Sequence, residues 1–319
     1  MRNKVEVQNV FNCLNLSFSD DIYFNEDYAR LYGEPFLFEY KNKKLYFKTI
    51  GIKNFIKGTS FYDMQSPYGY NGFFINTNDE TFIKEALLSL RHKALEEKII
   101  AFFIRFHPFD ENVNFYAKNL DFFSNNKKIV VVDTRESIEK IRTNYNPRIK
   151  SCINKARKKL KIEFCEVDEA LDFRFLYEKT MLRNNAKNFY FFDENYFKKL
   201  FKFKEYKVLK ASFENEILSY ASFFLHKDFS YYHLSANTLK CDANSALLDF
   251  FFEYASKQGS KFCILGGGVQ DDDSLFNFKQ KFSTLYTNFN IGGIIFDNEN
   301  FKTICQNFNN SYFLKYRCN

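Results

Sequence analysis

The chain of 319 residues has no Trp, only four Pro and four His, and no two Cys at CxxC spacing. Seven scattered Cys (Cys13, Cys152, Cys165, Cys241, Cys263, Cys305, Cys318) never meet His92, His107, His226 or His233 at zinc-ligand spacing. No metal site is therefore expected, and the thiols read as free in a reducing compartment. No apolar run approaches the ~20 residues that cross a bilayer, so no transmembrane segment is expected. Arg2, Lys4 and Glu6 interrupt the start, which is not that of a signal peptide, so the expected location is the cytoplasm. A net charge of +7 is modest for this length. It permits an anionic partner such as a nucleotide or CoA without requiring nucleic acid.

What the chain has in excess is Phe, 43 residues, with 21 Tyr. Phe, Tyr, Asn, Lys and Ile are abundant together, as an AT-rich coding bias produces, so the aromatics are assigned to the core rather than to a function. In the second half, residues 207–213, 217–226 and 229–236 read as three antiparallel strands, with a turn at Glu214-Asn215-Glu216. Asn244-Ser245 then caps a helix over 246–258 that stops at Gly259. A buried strand at 262–265, a short helix around Lys279 and a strand over 286–296 complete the set. The first half repeats that order more loosely: strands at 45–52 and 72–75, a helix over 79–97, a strand at 99–106, a helix over 112–123 and a strand at 128–133. Between the halves, Asn146-Pro147 starts a helix whose apolar face is Ile149, Ile153, Ala156 and Leu160. That helix carries Arg148, Lys150, Lys155, Arg157, Lys158, Lys159 and Lys161 and no acid, a charge set that reads mainly as a solvated face. The expected fold class is α/β: two related domains, 1–145 and 146–319, with mixed, largely antiparallel central sheets joined by the basic helix, the last strand able to return to the first domain.

The stretch from Lys261 to Ser283 carries the most chemistry. Gly266, Gly267 and Gly268 at a strand's end leave room for a ligand against the backbone. Lys279, among Phe276, Phe278 and Phe282, is placed to meet an anion or a polarised carbonyl, or else to snorkel from a surface helix. Of Asp271, Asp272 and Asp273, one can cap the Lys279 helix and another can accept a proton or bind sugar hydroxyls. Three adjacent Asp in a turn rarely converge on a metal, so none is assigned. Cys263, inside the strand, is read as core.

Several segments in order resemble the FemAB-like branch of the GNAT acyltransferase superfamily: SPYGYNG (66–72), IRFHP (104–108), NPRIKSCINKARK (146–158), YEKTMLRNNAKNFYFF (177–192), YYHLSAN (231–237) and LGGGVQDDDSLFNFKQKFS (265–283). The resemblance implies two tandem GNAT-like domains and transfer of an acyl or aminoacyl group to an amine. It implies an acyl-CoA co-substrate, acetyl-CoA first, or an acyl carrier protein as donor, and an amine acceptor such as a nucleotide-linked amino sugar of surface-polysaccharide assembly. A tRNA donor is less expected, since no stretch offers the long helical arm of aminoacyl-tRNA users. Residues 237–245, NTLKCDANS, depart from the usual acetyl-CoA loop. A catalytically silent glycan- or nucleotide-binding protein is the alternative from another class.

On this resemblance His233, Lys279 and Asp273 are the catalytic candidates, His233 as a base against the alternative of a packed strand His. Tyr68, Tyr70, Arg105, His107, Arg148, Arg183, Tyr190, Ser235 and the three glycines are assigned to substrate. Leu234, Ala236, Asn244 and Ser245 are assigned to the donor. The backbone at 233–236 and 264–266 is the expected oxyanion contact.

Overall fold

The computed structural model describes Val5, Glu6, residues 16–18, 20–268 and 273–317. Two compact units emerge, one of Phe18–Lys127 with Asn288–Asn319, the other of Met1–Ser17 with Lys128–Thr287. The chain passes from one unit to the other at 17/18, 127/128 and 287/288. Residues 130–133 go with the second unit because they pair with the strand Phe262–Gly266.

In the first unit, Glu34–Asn42 and Leu45–Phe55 form an antiparallel hairpin, with Lys43 at φ 56° making the tight turn. Tyr62–Gln65 pairs antiparallel with the second of these and parallel with Ile99–Arg105. Ile291–Ile295 closes against Ile99–Arg105 in antiparallel register. The helix Glu80–Glu96 starts at Asp79, whose carboxylate accepts from the Thr81 and Phe82 amides. Its Phe82, Ile83, Ala86, Leu90 and Ala94 recur at helical spacing and bury against Phe38, Phe47 and Phe102.

In the second unit, Lys161–Phe164, Tyr206–Phe213, Glu216–Leu225 and Phe229–Asn237 run antiparallel in that order. Glu214 and Asn215, both at positive φ, make the hairpin turn expected there. Phe229–Asn237 then pairs parallel with Phe262–Gly266. One face of this sheet is covered by the helices Ala243–Lys257 and Pro147–Lys159, with Phe223 stacked on Phe251 at 3.6 Å. The other face meets Ala170–Arg183 and Glu194–Leu200 through Phe173 on Tyr220 and His233 on Tyr196. Each such buried ring contributes about 1.5–3 kcal/mol by leaving water.

The sheets are mixed and largely antiparallel, as expected. Two local expectations fail. The helix expected over 246–258 begins at Ala243, preceded by Asp242 at φ 50°, and Ser245 is buried within it rather than capping it. Asn244 turns its amide to Tyr232 instead. The basic helix is not wholly a solvated face either. Arg157 reaches Asp249 at 2.7 Å, beside Arg142, which grips the same carboxylate at 2.8 and 2.6 Å.

Candidate active site

The parallel strands Phe229–Asn237 and Phe262–Gly266 pair at Phe229↔Phe262, Ser230↔Cys263 and Tyr231↔Ile264, and then part. Phe262–Gly266 shifts register against Val130–Asp133 at this same point. Phe229–Asn237 meanwhile follows Glu216–Leu225. The Leu234 amide and carbonyl are taken by the Ser222 hydroxyl, and the Ala236 carbonyl by Ser219. The strand is bulged here, its register against Glu216–Leu225 shifting between Tyr232 and Ser235, so that Tyr232 and Ser235 come to lie on one face. Leu234 and Ala236, assigned to the donor from sequence, face the neighbouring strand with their backbone and are buried.

Lys279 stands at the end of this gap. It is the last residue of the helix Ser274–Lys279, is 6% exposed, and donates from Nζ to the Gly267 carbonyl at 2.7 Å. Burial lowers its pKa from 10.5 to about 7, partly opposed by the negative charge of Asp273. Asp273 is the N-cap of the same helix, accepting from the Phe276 amide at 2.8 Å. Asp271 and Asp272 lie outside the described residues.

The glycines are there for the protein's own packing. Gly266 sits at φ 78°, which side-chain-bearing residues resist. A Cβ on Gly267 would come 2.8 Å from the Lys128 carbonyl oxygen, and one on Gly268 would come 2.1 Å from Asp273 Oδ1. Together they let the strand end pass close to two neighbours and hold a carbonyl out to Lys279.

Tyr232 completes the cluster. Its ring centroid is 5.9 Å from Lys279 Nζ, and its hydroxyl lies 3.2 Å from the Asn244 amide nitrogen. Burial raises its phenol pKa, while Ser235 and Asn244 lower it. Lys279, Asp273, Gly267, Gly268, Tyr232, Asn244 and Ser235 therefore belong to one end of the second unit. Tyr232 was not singled out from sequence; strand alternation allows only one of Tyr232 and His233 on the Lys279 face.

His233 is on the other face. It is buried, its Nε2 lies 3.0 Å from the Tyr196 hydroxyl, and the Phe224 and Tyr206 rings flank it. Burial lowers its pKa to about 3. The structure does not bring it together with Lys279, so the packed-strand alternative describes it.

The remaining candidates are dispersed. Arg183 donates to the Asn237 carbonyl at 2.7 Å and to its side-chain oxygen at 3.0 Å, closing the strand end. Arg148 is exposed in the first turn of its helix. The Tyr190 carbonyl accepts from the Tyr177 hydroxyl.

In the first unit, Arg105 donates to the Ser66 carbonyl and lies over the Phe103 ring. His107 is stacked on Phe18 at 4.3 Å, its Nδ1 accepts from the Phe109 amide, and burial lowers its pKa to about 3. Tyr70 packs edge-on to Tyr23 and Phe289, while the Tyr68 carbonyl accepts from the Tyr28 hydroxyl. Among the described residues no three His, Cys, Asp or Glu are grouped so as to hold a metal ion, and no helix is long and apolar enough to cross a membrane.

No protein-family model matches the chain, and no curated protein matches its sequence. Among solved structures, FemX superposes with a TM-score of 0.70 over 91% of this chain and 98% of its own, at 13% identity. The chain shares the fold of FemX. L-PGS from Bacillus licheniformis matches with a TM-score of 0.56 at 14% identity, over 84% of this chain and 86% of its own. The C-terminal domain of a putative lysylphosphatidylglycerol synthetase from Agrobacterium fabrum gives 0.54 at 14% identity, over 88% and 91%.

Proposed function

We propose that the chain is an N-acyltransferase. It moves an acyl group from a thioester, acyl-CoA or an acyl carrier protein, to the amine of an amino sugar in cell-surface glycan assembly, in the cytoplasm and without a covalent enzyme intermediate. The observation that carries this reading is the buried Lys279 side chain held at the point where two parallel strands part.

A thioester lying in that gap presents its carbonyl oxygen to backbone amides of the parted strand and to the Lys279 ammonium. The acceptor nitrogen attacks the carbonyl carbon, the C–N bond forms, and charge collects on oxygen where these donors stand. Collapse breaks the C–S bond. The Tyr232 hydroxyl gives its proton to the departing sulfur, and the surplus proton of the nitrogen returns to the phenolate through solvent. Asp273 fixes the Lys279 helix by capping it and supports the charged form of the lysine.

A second reading replaces the thioester by an aminoacyl-tRNA ester. It is favoured by the exposed lysines of the helix Pro147–Lys159, namely Lys150, Lys155, Lys158 and Lys159, a surface suited to phosphates. Native mass spectrometry with acetyl-CoA, a longer acyl-CoA and a charged tRNA separates the two. A saturable, acyl-dependent CoA adduct supports the thioester reading; binding of tRNA alone replaces it with the second.

A further inference from the structure

The helix Ala243–Lys257 starts without a side-chain cap. Asp242, at φ 50°, opens it by backbone alone, its carbonyl accepting from the Ser245 and Ala246 amides at 3.0 and 3.2 Å. Asn244 is thereby released from capping, the usual task of an Asn at a helix start. Its side chain crosses instead to the strand Phe229–Asn237. There Nδ2 donates to the Tyr232 hydroxyl at 3.2 Å, while that hydroxyl lies 3.4 Å from Oδ1. An O–H···O bond is ordinarily about 2.7–2.8 Å long. The amide therefore holds the phenol oxygen more firmly than it holds the phenol hydrogen.

Ser235 reaches the same hydroxyl from the strand itself. Strict alternation sets residues three apart on opposite faces, and the one extra residue of the bulge reverses this for Tyr232 and Ser235. Bulges recur beside active sites because they re-aim a side chain in this way. The Ser235 hydroxyl hydrogen-bonds the phenol, and with Asn244 it opposes the rise in phenol pKa that burial causes. Two further groups face the ring: Lys279, with Nζ 5.9 Å from its centroid, and Phe223, centroid to centroid at 5.5 Å.

We propose that Ser235 and Asn244 are positioning residues that act through Tyr232, holding its oxygen at the gap and stabilising the phenolate left when its proton goes to the departing sulfur. The proposal rests on the reading of Tyr232 as proton donor. As the S–H bond forms, the O–H bond breaks and its electron pair stays on the phenol oxygen. Hydrogen bonds from the Ser235 hydroxyl and the Asn244 amide strengthen as that charge develops. The proton released by the attacking nitrogen then restores the phenol. Asn244 serves the donor, and Ser235 the substrate, only through this phenol.

The first readout needs no turnover: fluorotyrosine is placed at position 232 and titrated by fluorine NMR. Asn244→Leu and Ser235→Ala each raise the phenol midpoint, together by about one pH unit or more. Ser235→Thr, which keeps the hydroxyl, leaves it in place. With acetyl-CoA and glucosamine, Asn244→Leu and Ser235→Ala each lower kcat about tenfold at unchanged KM for acetyl-CoA. Neither lowers it further in a Tyr232→Phe background. Midpoints unmoved in both variants overturn the proposal, and so does a loss of kcat that adds to that of Tyr232→Phe, because the two residues would then act apart from the phenol. If Tyr232→Phe lowers kcat while the midpoints stay unmoved, the proposal fails alone. Full turnover in Tyr232→Phe overturns the proton-donor reading and the proposal with it.

Discussion

Tyr232 and His233, neighbours in the chain, leave the strand Phe229–Asn237 on opposite faces. Tyr232 meets Asn244 and approaches Lys279; His233 meets the Tyr196 hydroxyl among aromatic rings. The pleat imposes this, since successive side chains point to opposite sides. The imidazole is held neutral by burial and is turned away from the gap between the parallel strands.

Substitutions at the two positions should separate. Tyr232→Phe lowers kcat about tenfold to hundredfold with little change in stability. His233→Ala lowers stability by about 2–4 kcal/mol through lost packing and an orphaned Tyr196 hydroxyl, and leaves kcat per folded molecule unchanged. Steady-state kinetics beside urea unfolding check both. Acid sensitivity follows from the same burial. His233 has its folded pKa lowered to about 3 from 6.5, so the unfolded chain binds the proton first and stability falls as pH drops below 6.5. His107 is lowered in the same way, so His233→Gln should remove roughly half of that slope.

Lys279 acts with the same sign in an alkaline window. Its folded pKa, about 7 against 10.5, means that between these values the unfolded chain holds a proton that the fold has released. Stability should therefore rise as pH increases from about 7 toward 10.5. Lys279→Met removes this rise and makes the protein more stable at neutral pH while it loses turnover, a trade of stability against activity. Thermal unfolding across this range measures it.

Asp249 is fully buried and is met by Arg142, Arg157 and the Tyr145 hydroxyl. It ties three helical segments of the second unit together. Asp249→Ala leaves Arg142 without its carboxylate and Arg157 with Glu253 alone, and should cost about 3–5 kcal/mol. Chemical denaturation is the readout. A change under about 1 kcal/mol would mean that water satisfies both arginines.

Gly267→Ala forces a Cβ toward the Lys128 carbonyl and shifts the carbonyl that holds Lys279. It should lower stability by about 1–3 kcal/mol and reduce kcat as well. Gly268→Ala displaces Asp273 from its cap and should act mainly through the Lys279 helix. Kinetics and unfolding on both variants distinguish the two effects.

Much of the second unit was legible in the sequence because its signals are local. Alternation in 207–236, the Glu214-Asn215 turn, the Asn146-Pro147 helix start and the Asp cap before Lys279 all match. The helix Ala170–Arg183 was not assigned because apolar residues on both faces blur its period. Nothing local separates Arg157 from the solvated charges of its helix, because its partner Asp249 is 92 residues away. In YYHL side-chain chemistry points to His233 rather than Tyr232, while the face each occupies depends on where the helices pack.

The most direct test of the account is the pH dependence of acyl transfer for the wild type, Lys279→Arg and Lys279→Met at saturating acceptor. A cationic role for Lys279 predicts a wild-type kcat that declines as pH rises through about 7. It predicts a Lys279→Arg profile without that decline, and a Lys279→Met rate about hundredfold lower throughout. Full activity in Lys279→Met, or the same alkaline decline in the Arg variant, would contradict it.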